Sequence, residues 1–523
     1  MVYHRIAFFI VFQFLVFQAF SQHHHEKNNP DRPLRVEISV TSDNETHRVI
    51  PCGPDGILLF FRSQESFDEA NTKWYFSYYN QNLEQVWVKS YPIPKGLDIR
   101  DFQSRPDTVT LLYCTSGKTK DRENSFQILR IDCKHAMFLK NSGNYPLDGE
   151  ISFFGVQKEW AWIGINSKGE AGKIIQLDLN KGQLKNIVLG EGNQIVLRYM
   201  KPDSSAQFVT AIVSRFLTKK TSEHYLVHYD TTGKISYEVL LSSQQNDHDL
   251  NRFQIARTPD GSDLLFGSYT QGGSGNSGKN KFPDESTGFF SSRIQNKSQK
   301  EIKYFNFLEF KNANILLSEK DILSLKKKAL KKNKSLGEYS VDFSLIIHDP
   351  ITWKNQLILI GEVISPQYHT ENFTEFDYYG RPYTNSYSVF DGYRFVNAIV
   401  AGFDLSGNLL WDNAMEIRNI ISFERLPKLI PYFSGDDLIL CYSGDGKIAT
   451  KIIRMGEVIE KLDFSPNELS DPEDKLINES KSKLFYWYDN YFISSGYQEI
   501  KNIALVGNNK RLVFFFNKLR FEK

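Results

Sequence analysis

Beyond residue 33 the chain alternates apolar and polar positions over short runs rich in Val, Ile, Phe, Tyr and Trp. That period of two is the mark of half-buried β-strands, and helical periodicity is scarce. One cue recurs: a strand runs into a short polar turn and out into a second strand, as in "FDLSGNLLWDNAM" from Phe403. Relatives begin at Tyr78, Arg130, Leu177, His228, Arg293, Ile453 and Val506, most of them about 46 to 65 residues apart, with one gap near 110. Two more strands precede each cue, so the unit has four strands; unit two reads "DIRDFQS", "TVTLLYCTS", "SFQILRIDC", "AMFLKN". Four strands at this period make a β-propeller blade, whose two apolar faces only neighbouring blades can cover. The expected fold is therefore all-β: one closed propeller over 34–523, starting near Val36, with eight blades, or seven if the weak terminal units share a sheet.

In such a ring the loops joining second to third strands and those joining one blade to the next emerge on one face. The first-to-second and third-to-fourth turns emerge on the other. The third-to-fourth turns are short Asn and Gly hairpin turns. Length gathers in the other class: "SQESFDEANT", "SGKTKDREN", "RFLTKKTSE", "TQGGSGNSGKNKFPDEST" and a Tyr-rich segment at 365–395. A second insertion, 309–337, carries "LSEKDILSLKKKALKKNKSLG", with Ser318 as a helix cap, acids in the first turn, lysines later and Gly337 as a stop, which predicts a basic helix. The face with the long loops is where a partner would be recognised. Through its lysines the helix could touch a membrane surface, and packing of Ile322, Leu325 and Leu330 onto the ring is the plainer expectation.

Composition adds location more than chemistry. Residues 1–21 have a basic start, an apolar run from Ile6 to Phe20 and the small residue Ser21, the layout of a secretory signal peptide cleaved after Ser21. A flexible mature N-terminus, 22–33, would follow, and the destination is the periplasm, the outer surface or the medium. With 63 basic and 62 acidic side chains the net charge is +1, which argues against nucleic acid as a partner. Four cysteines, Cys52, Cys114, Cys133 and Cys441, could form two disulfides in an exported chain. Antiparallel pairing about the turn near 119–123 sets Cys114 opposite residue 127 or 128, away from Cys133, so free half-buried thiols are expected for all four.

No GxSxG elbow, HExxH helix, phosphate-binding loop, dinucleotide fingerprint or CxxC pair is present, and no cofactor or metal is expected. His224 and His228 stand on one strand, too far apart along the pleat for a shared metal. "PDGSD", "SGDD" and "SGDG" read as ordinary turns, because none continues into the spaced acids of a calcium loop. Candidate chemistry concentrates in 367–395, "QYHTENFTEFDYYGRPYTNSYSVFDGYRF", with ten Tyr or Phe where the chain average of 14% gives about four. Tyr379, Tyr383, Asp391, Tyr393 and Arg394 are the candidate binding residues: flat amphipathic rings stack on sugars or peptides, and Arg394 and Arg381 can fork onto carboxylates. Glu375 and Asp377, with Glu371 and Asp391 nearby, are the alternative acid and base of a glycan-active hydrolase or lyase. The plain reading is that most of these rings pack on one another.

The motifs "LILIGEVIS", "TEFDYYGRPY", "VFDGYRFVNA" and "AGFDLSGNLLWDN", in that order after a lysine-rich segment, resemble a family of uncharacterised exported bacterial proteins. The likeness covers about 110 residues, Leu308 to Ile417; "GEVIS" and "YRFVNA" depart from the family pattern of small and aromatic residues and of Tyr-His. It implies an envelope or secreted location and a β-rich fold, and no activity. Together these readings predict a non-enzymatic exported binding or scaffold protein that engages a protein or glycan partner through its long-loop face. The alternatives are the glycan-active enzyme and a structural part of an envelope assembly.

Overall fold

A computed structural model describes residues 34–521, apart from 45, 117–122, 169, 191–194, 204–207, 218–221, 231, 246, 272–284, most of 313–340, and 505–509. The predicted signal peptide and flexible N-terminus lie outside the described residues. So do the tips of the connections after the second strands of sheets two, four and five. The described residues form an all-β structure of eight antiparallel sheets in chain order, over 48–94, 97–146, 149–188, 195–241, 248–306, 343–422, 430–466 and 474–520. Seven have four strands. The sixth is widened by Glu285–Ser286 and Ile351–Trp353.

Burial explains why these sequences become sheets of four. The second strand is buried on both faces, as in Thr108–Thr115, where Val109 through Tyr113 are buried, and Asp263–Gln271, buried from Asp263 through Tyr269. The fourth strand is a wet edge, as in Met137–Pro146, where Lys140, Ser142 and Asn144 face solvent. Charged and polar side chains on such an edge discourage pairing with another chain.

Eight hydrophobic clusters fill the spaces between successive sheets. Between sheets one and two, Trp74 meets Tyr113 edge-on at 5.2 Å. Between sheets eight and one, Trp487, Ile493 and Phe514 pack on Val49 and Ile57. Each buried Leu, Ile or Phe there contributes roughly 1.5–3 kcal/mol over leaving it exposed. Inter-sheet burial of that size orders strands that would be marginal alone.

The hairpin cue has a local cause. Asn80 Oδ1 accepts backbone N–H bonds from Asn82 and Glu84, Asp230 Oδ1 from Thr232 and Lys234, and Asp404 Oδ1 from Ser406 and Asn408, all at 2.8–3.0 Å. The fourth residue of each turn takes positive φ: Leu83 at 58°, Gly233 at 79° and Gly407 at 77°. An Asx side chain mimics the backbone and glycine relieves the left-handed strain, so the pattern D-x-x-G specifies a tight reversal.

Two expectations are corrected. The strand Arg35–Ser39 does not open unit one; it pairs with Lys510–Arg520 as the fourth strand of the last sheet, Val36 opposite Phe516. The cue at Val506 accordingly joins second and third strands, because the place of the fourth is taken from the other end of the chain. The segment at 365–395 is not a loop but two continuous strands, Gln356–Phe376 and Pro382–Asp404. Most of the segment 309–337, where the basic helix is expected, lies outside the described residues; Lys320, Leu323, Ser324, Lys327 and Lys331, which are described, are helical and exposed.

Candidate functional site

The two long strands of sheet six begin as its interior. Gln356–Phe376 pairs with Phe343–Ile347 only as far as Ile364, and Pro382–Asp404 pairs with Leu409–Ser422 only from Tyr393 onward. Beyond those points, among the described residues, they pair with each other alone, out to Phe376 opposite Pro382. The result is a two-stranded arm projecting about 33 Å past the sheet, from roughly ten residues at 3.3 Å each. Its root is bent by irregularities at Val363/Ile364 and Gln367/Tyr368. Gly392 is required there: its φ is +125°, and a Cβ would stand 3.1 Å from the Ser422 carbonyl.

The tip is a D-x-x-G turn of the hairpin kind. Asp377 Oδ1 accepts from the backbone N–H groups of Tyr379 and Arg381 at 2.8 Å, and Gly380 has φ 74°. Register gives the arm two unlike faces. One bears Thr370 opposite Ser388, Asn372 opposite Ser386 and Thr374 opposite Thr384. The other bears His369, Glu371 opposite Tyr387, Phe373 opposite Asn385, and Glu375 opposite Tyr383. On this second face Glu375 Oε2 accepts from Tyr383 Oη at 2.8 Å and from Asn385 Nδ2 at 2.6 Å, and Phe373 meets Tyr387 edge-on at 5.4 Å. At the tip Tyr378 is 97% exposed and Tyr379 77%, with the Arg381 guanidinium 5.5 Å from the Tyr379 ring.

The sequence candidates divide between two places. Tyr379 and Tyr383 are at the tip, with Glu375 and Asp377, whose carboxylates are engaged by the arm's own side chains and turn. Asp391, Tyr393 and Arg394 are at the root, roughly 26 Å away along the strand. Asp391 Oδ1 meets His369 Nδ1 at 2.5 Å, while His369 Nε2 faces Glu371 Oε1 at 3.2 Å. The bond to Asp391, then that to Glu371, raises the His369 pKa above its ordinary 6.5. Tyr393 is half-buried, 5.1 Å from the Phe390 ring and beneath Arg425. Arg394 is exposed between Ser365 and Ile421.

Below the root lies a charged cluster that no sequence motif announced. Glu424 Oε1 is 3.5 Å from Arg48 of sheet one and its Oε2 3.3 Å from Lys483 of sheet eight. Burial would raise the Glu424 pKa, but Lys483, Arg48 and Lys428 together hold it below the usual range. Burial, reinforced by Lys483, pushes Lys428 down to about 8 against the pull of Glu424 and Glu362. Arg48, Glu424 and Lys483 line a cavity of about 190 Å³. The "GEVIS" glutamate, Glu362, is fully buried and accepts from His348 Nε2 at 2.7 Å and from the backbone N–H groups of Lys428 and Leu429 at 2.8–2.9 Å. It fastens the connection between sheets six and seven on which Glu424 and Lys428 sit. Apart from His348, 14 residues from Glu362, these partners are 59 or more residues apart, so only a buried acid in an apolar run hinted at them.

The histidines set aside in the sequence are structural. His228 is buried against Tyr237 Oη at 2.6 Å, and His224 Nδ1 is 2.8 Å from Ser214 Oγ, its pKa lowered to about 4 by burial and Arg198. No group of three metal-ligating side chains occurs among the described residues.

No protein-family model matches the chain, and no curated protein does. Solved structures resemble it distantly. The polysaccharide lyase Uly1 aligns over 80% of this chain and 89% of its own at 10% identity and TM-score 0.39. The dihydro-heme d1 dehydrogenase NirN aligns over 95% and 82% at 10% identity and TM-score 0.40. The periplasmic gluconolactonase of Pseudomonas aeruginosa aligns over 79% and 100% at 9% identity and TM-score 0.34. At these scores none assigns a chemistry to this chain.

Proposed function

We propose that this is an exported protein whose eight sheets close into an eight-bladed β-propeller, and that it binds a protein or glycan partner through the arm of the sixth blade. The carrying observation is the arm itself: two strands free of any third among the described residues, with exposed Phe373, Tyr378, Tyr379, Tyr383 and Tyr387. A two-stranded ribbon is marginal alone, and aromatic rings in water are costly to keep unless a partner covers them. Closure is supported by the apolar cluster between sheets eight and one and by the Arg35–Ser39 strand that completes the last sheet. Export rests on the leader-like residues 1–21 and on the family resemblance.

The arm's charge narrows the partner. Glu371, Glu375, Asp377 and Asp391 outnumber His369 and Arg381 along 367–391, so the ligand is a neutral or basic glycan or peptide rather than a polyanion. Catalysis is the weaker reading. Glu371, Glu375 and Asp377 are exposed on the arm, and hydrolysis needs an acid and a base held about a bound sugar with water excluded.

The test replaces Tyr379, Tyr383 and Arg394 with Ala together and compares pull-downs from envelope extract, with a thermal melt as control. Loss of specific partners at an unchanged melt is expected; an unchanged partner list with an intact melt would remove the arm as the binding site. Turnover of a polysaccharide that disappears in Glu375→Ala or Asp377→Ala would establish the enzyme instead.

A further inference from the structure

We infer that Cys52 and Cys133 form a disulfide that staples sheet one to sheet two. Both are fully buried, and their Sγ atoms are 3.1 Å apart. That is about an ångström more than the bonded separation of ~2.05 Å, a gap that side-chain rotation can close. The cysteines are 81 residues apart in sequence and come together through three turns. Cys52 lies between the strands Arg48–Pro51 and Gly56–Ser66, and Cys133 between Glu123–Asp132 and Met137–Pro146. Asp107, in the turn between Leu97–Arg105 and Thr108–Thr115, donates its N–H to the Cys52 carbonyl at 3.1 Å and accepts at its own carbonyl from the Cys133 N–H at 2.8 Å. Trp87 Nε1 donates to the Cys133 carbonyl at 2.7 Å, and Lys134 pairs with both Asp55 and Asp107. The backbone geometry is thus held independently of any bond between the sulfurs.

Sequence spacing concealed this pair, because attention falls on Cys114 and Cys133 within one unit. In the structure Cys114 pairs across the sheet with Phe126, and the partner of Cys133 comes from the neighbouring sheet. Cys441 belongs to sheet seven.

Bond formation removes a hydrogen from each thiol. Two protons and two electrons pass to a disulfide oxidant, such as glutathione disulfide or a thiol–disulfide exchange protein, which leaves as two thiols. Burial, reinforced by Cys133, raises the Cys52 thiol well above its ordinary pKa, so the finished fold is a poor nucleophile and exchange belongs to the stage before sheets one and two meet. Closing so long a loop restricts the unfolded chain strongly, which is where such a bond stabilises.

The experiment synthesises the full chain cell-free in a glutathione and glutathione disulfide buffer and takes the soluble, cooperatively melting fraction. It then unfolds that fraction in acid-quenched denaturant, alkylates it, and reads intact mass and linked peptides. The proposal expects two of the four thiols alkylated, a Cys52–Cys133 peptide, and a melting temperature that falls when a reductant is added before the scan. The double variant Cys114→Ser with Cys441→Ser keeps the cross-link, which holds the test open where Cys52→Ser or Cys133→Ser fails to fold. Four alkylated thiols, glutathione adducts at Cys52 or Cys133, or a link through Cys114 or Cys441 would overturn it.

Discussion

Glu362 is a fully buried acid whose two oxygens are consumed by one imidazole and two backbone N–H groups. An amide in its place turns one acceptor into a donor facing donors. Glu362→Gln should therefore cost about 3 kcal/mol of stability. Chemical denaturation measures it, and a loss under half a kilocalorie would mean that the connection between sheets six and seven is held by other contacts. His369 carries a pH dependence. Its folded pKa is raised by Asp391 and Glu371, so its tie to the arm's root is complete below 6.5 and is lost as pH rises through the higher folded value. A titration followed by NMR should place its midpoint above 6.5, and Asp391→Asn should bring it back toward 6.5; equal midpoints in the two proteins would contradict the pairing. Asp391 was legible as a candidate within "VFDGYRF". Its partner was not, because His369 lies 22 residues away and only the register of the arm brings the two together.

At the scale of elements, what was legible was whatever a local side chain dictates. The D-x-x-G hairpins could be read because one carboxylate and one left-handed glycine specify the reversal within five residues. "DYYGR" obeys the same pattern as "DTTGK" and "DLSGN", so the arm's tip was also readable as a hairpin. Its flanks mix Thr, Ser and Asn with aromatics instead of showing one apolar face, so as sequence they read as loop. That mixture is what a ribbon exposed on both sides displays. The last sheet misled for the opposite reason. Its fourth strand, Arg35–Ser39, pairs with a strand some 480 residues later, and no local pattern encodes such a partner. The same holds for Cys52 and Cys133, joined across two sheets, and for Glu424, which reaches side chains of the first and the last sheets at once.

For the whole molecule, the repeat of four strands divided the work between a uniform body and one departure from it. The sheets bury nearly continuous apolar second strands against each other, the clusters pass from sheet to sheet, and the last meets the first. Among the described residues, sheet six alone sends its middle strands tens of ångströms beyond its neighbours and sets its tyrosines in water. On this account the body is a self-sufficient scaffold and the arm adds recognition without adding stability. The most direct measurement replaces 367–391 with a two-residue Asn-Gly turn and compares the melting curve and the captured partners of the shortened and full chains. The account predicts an unchanged melting temperature together with loss of the partners that the full chain retains. A shortened chain that still captures those partners, or one that no longer folds, would contradict it.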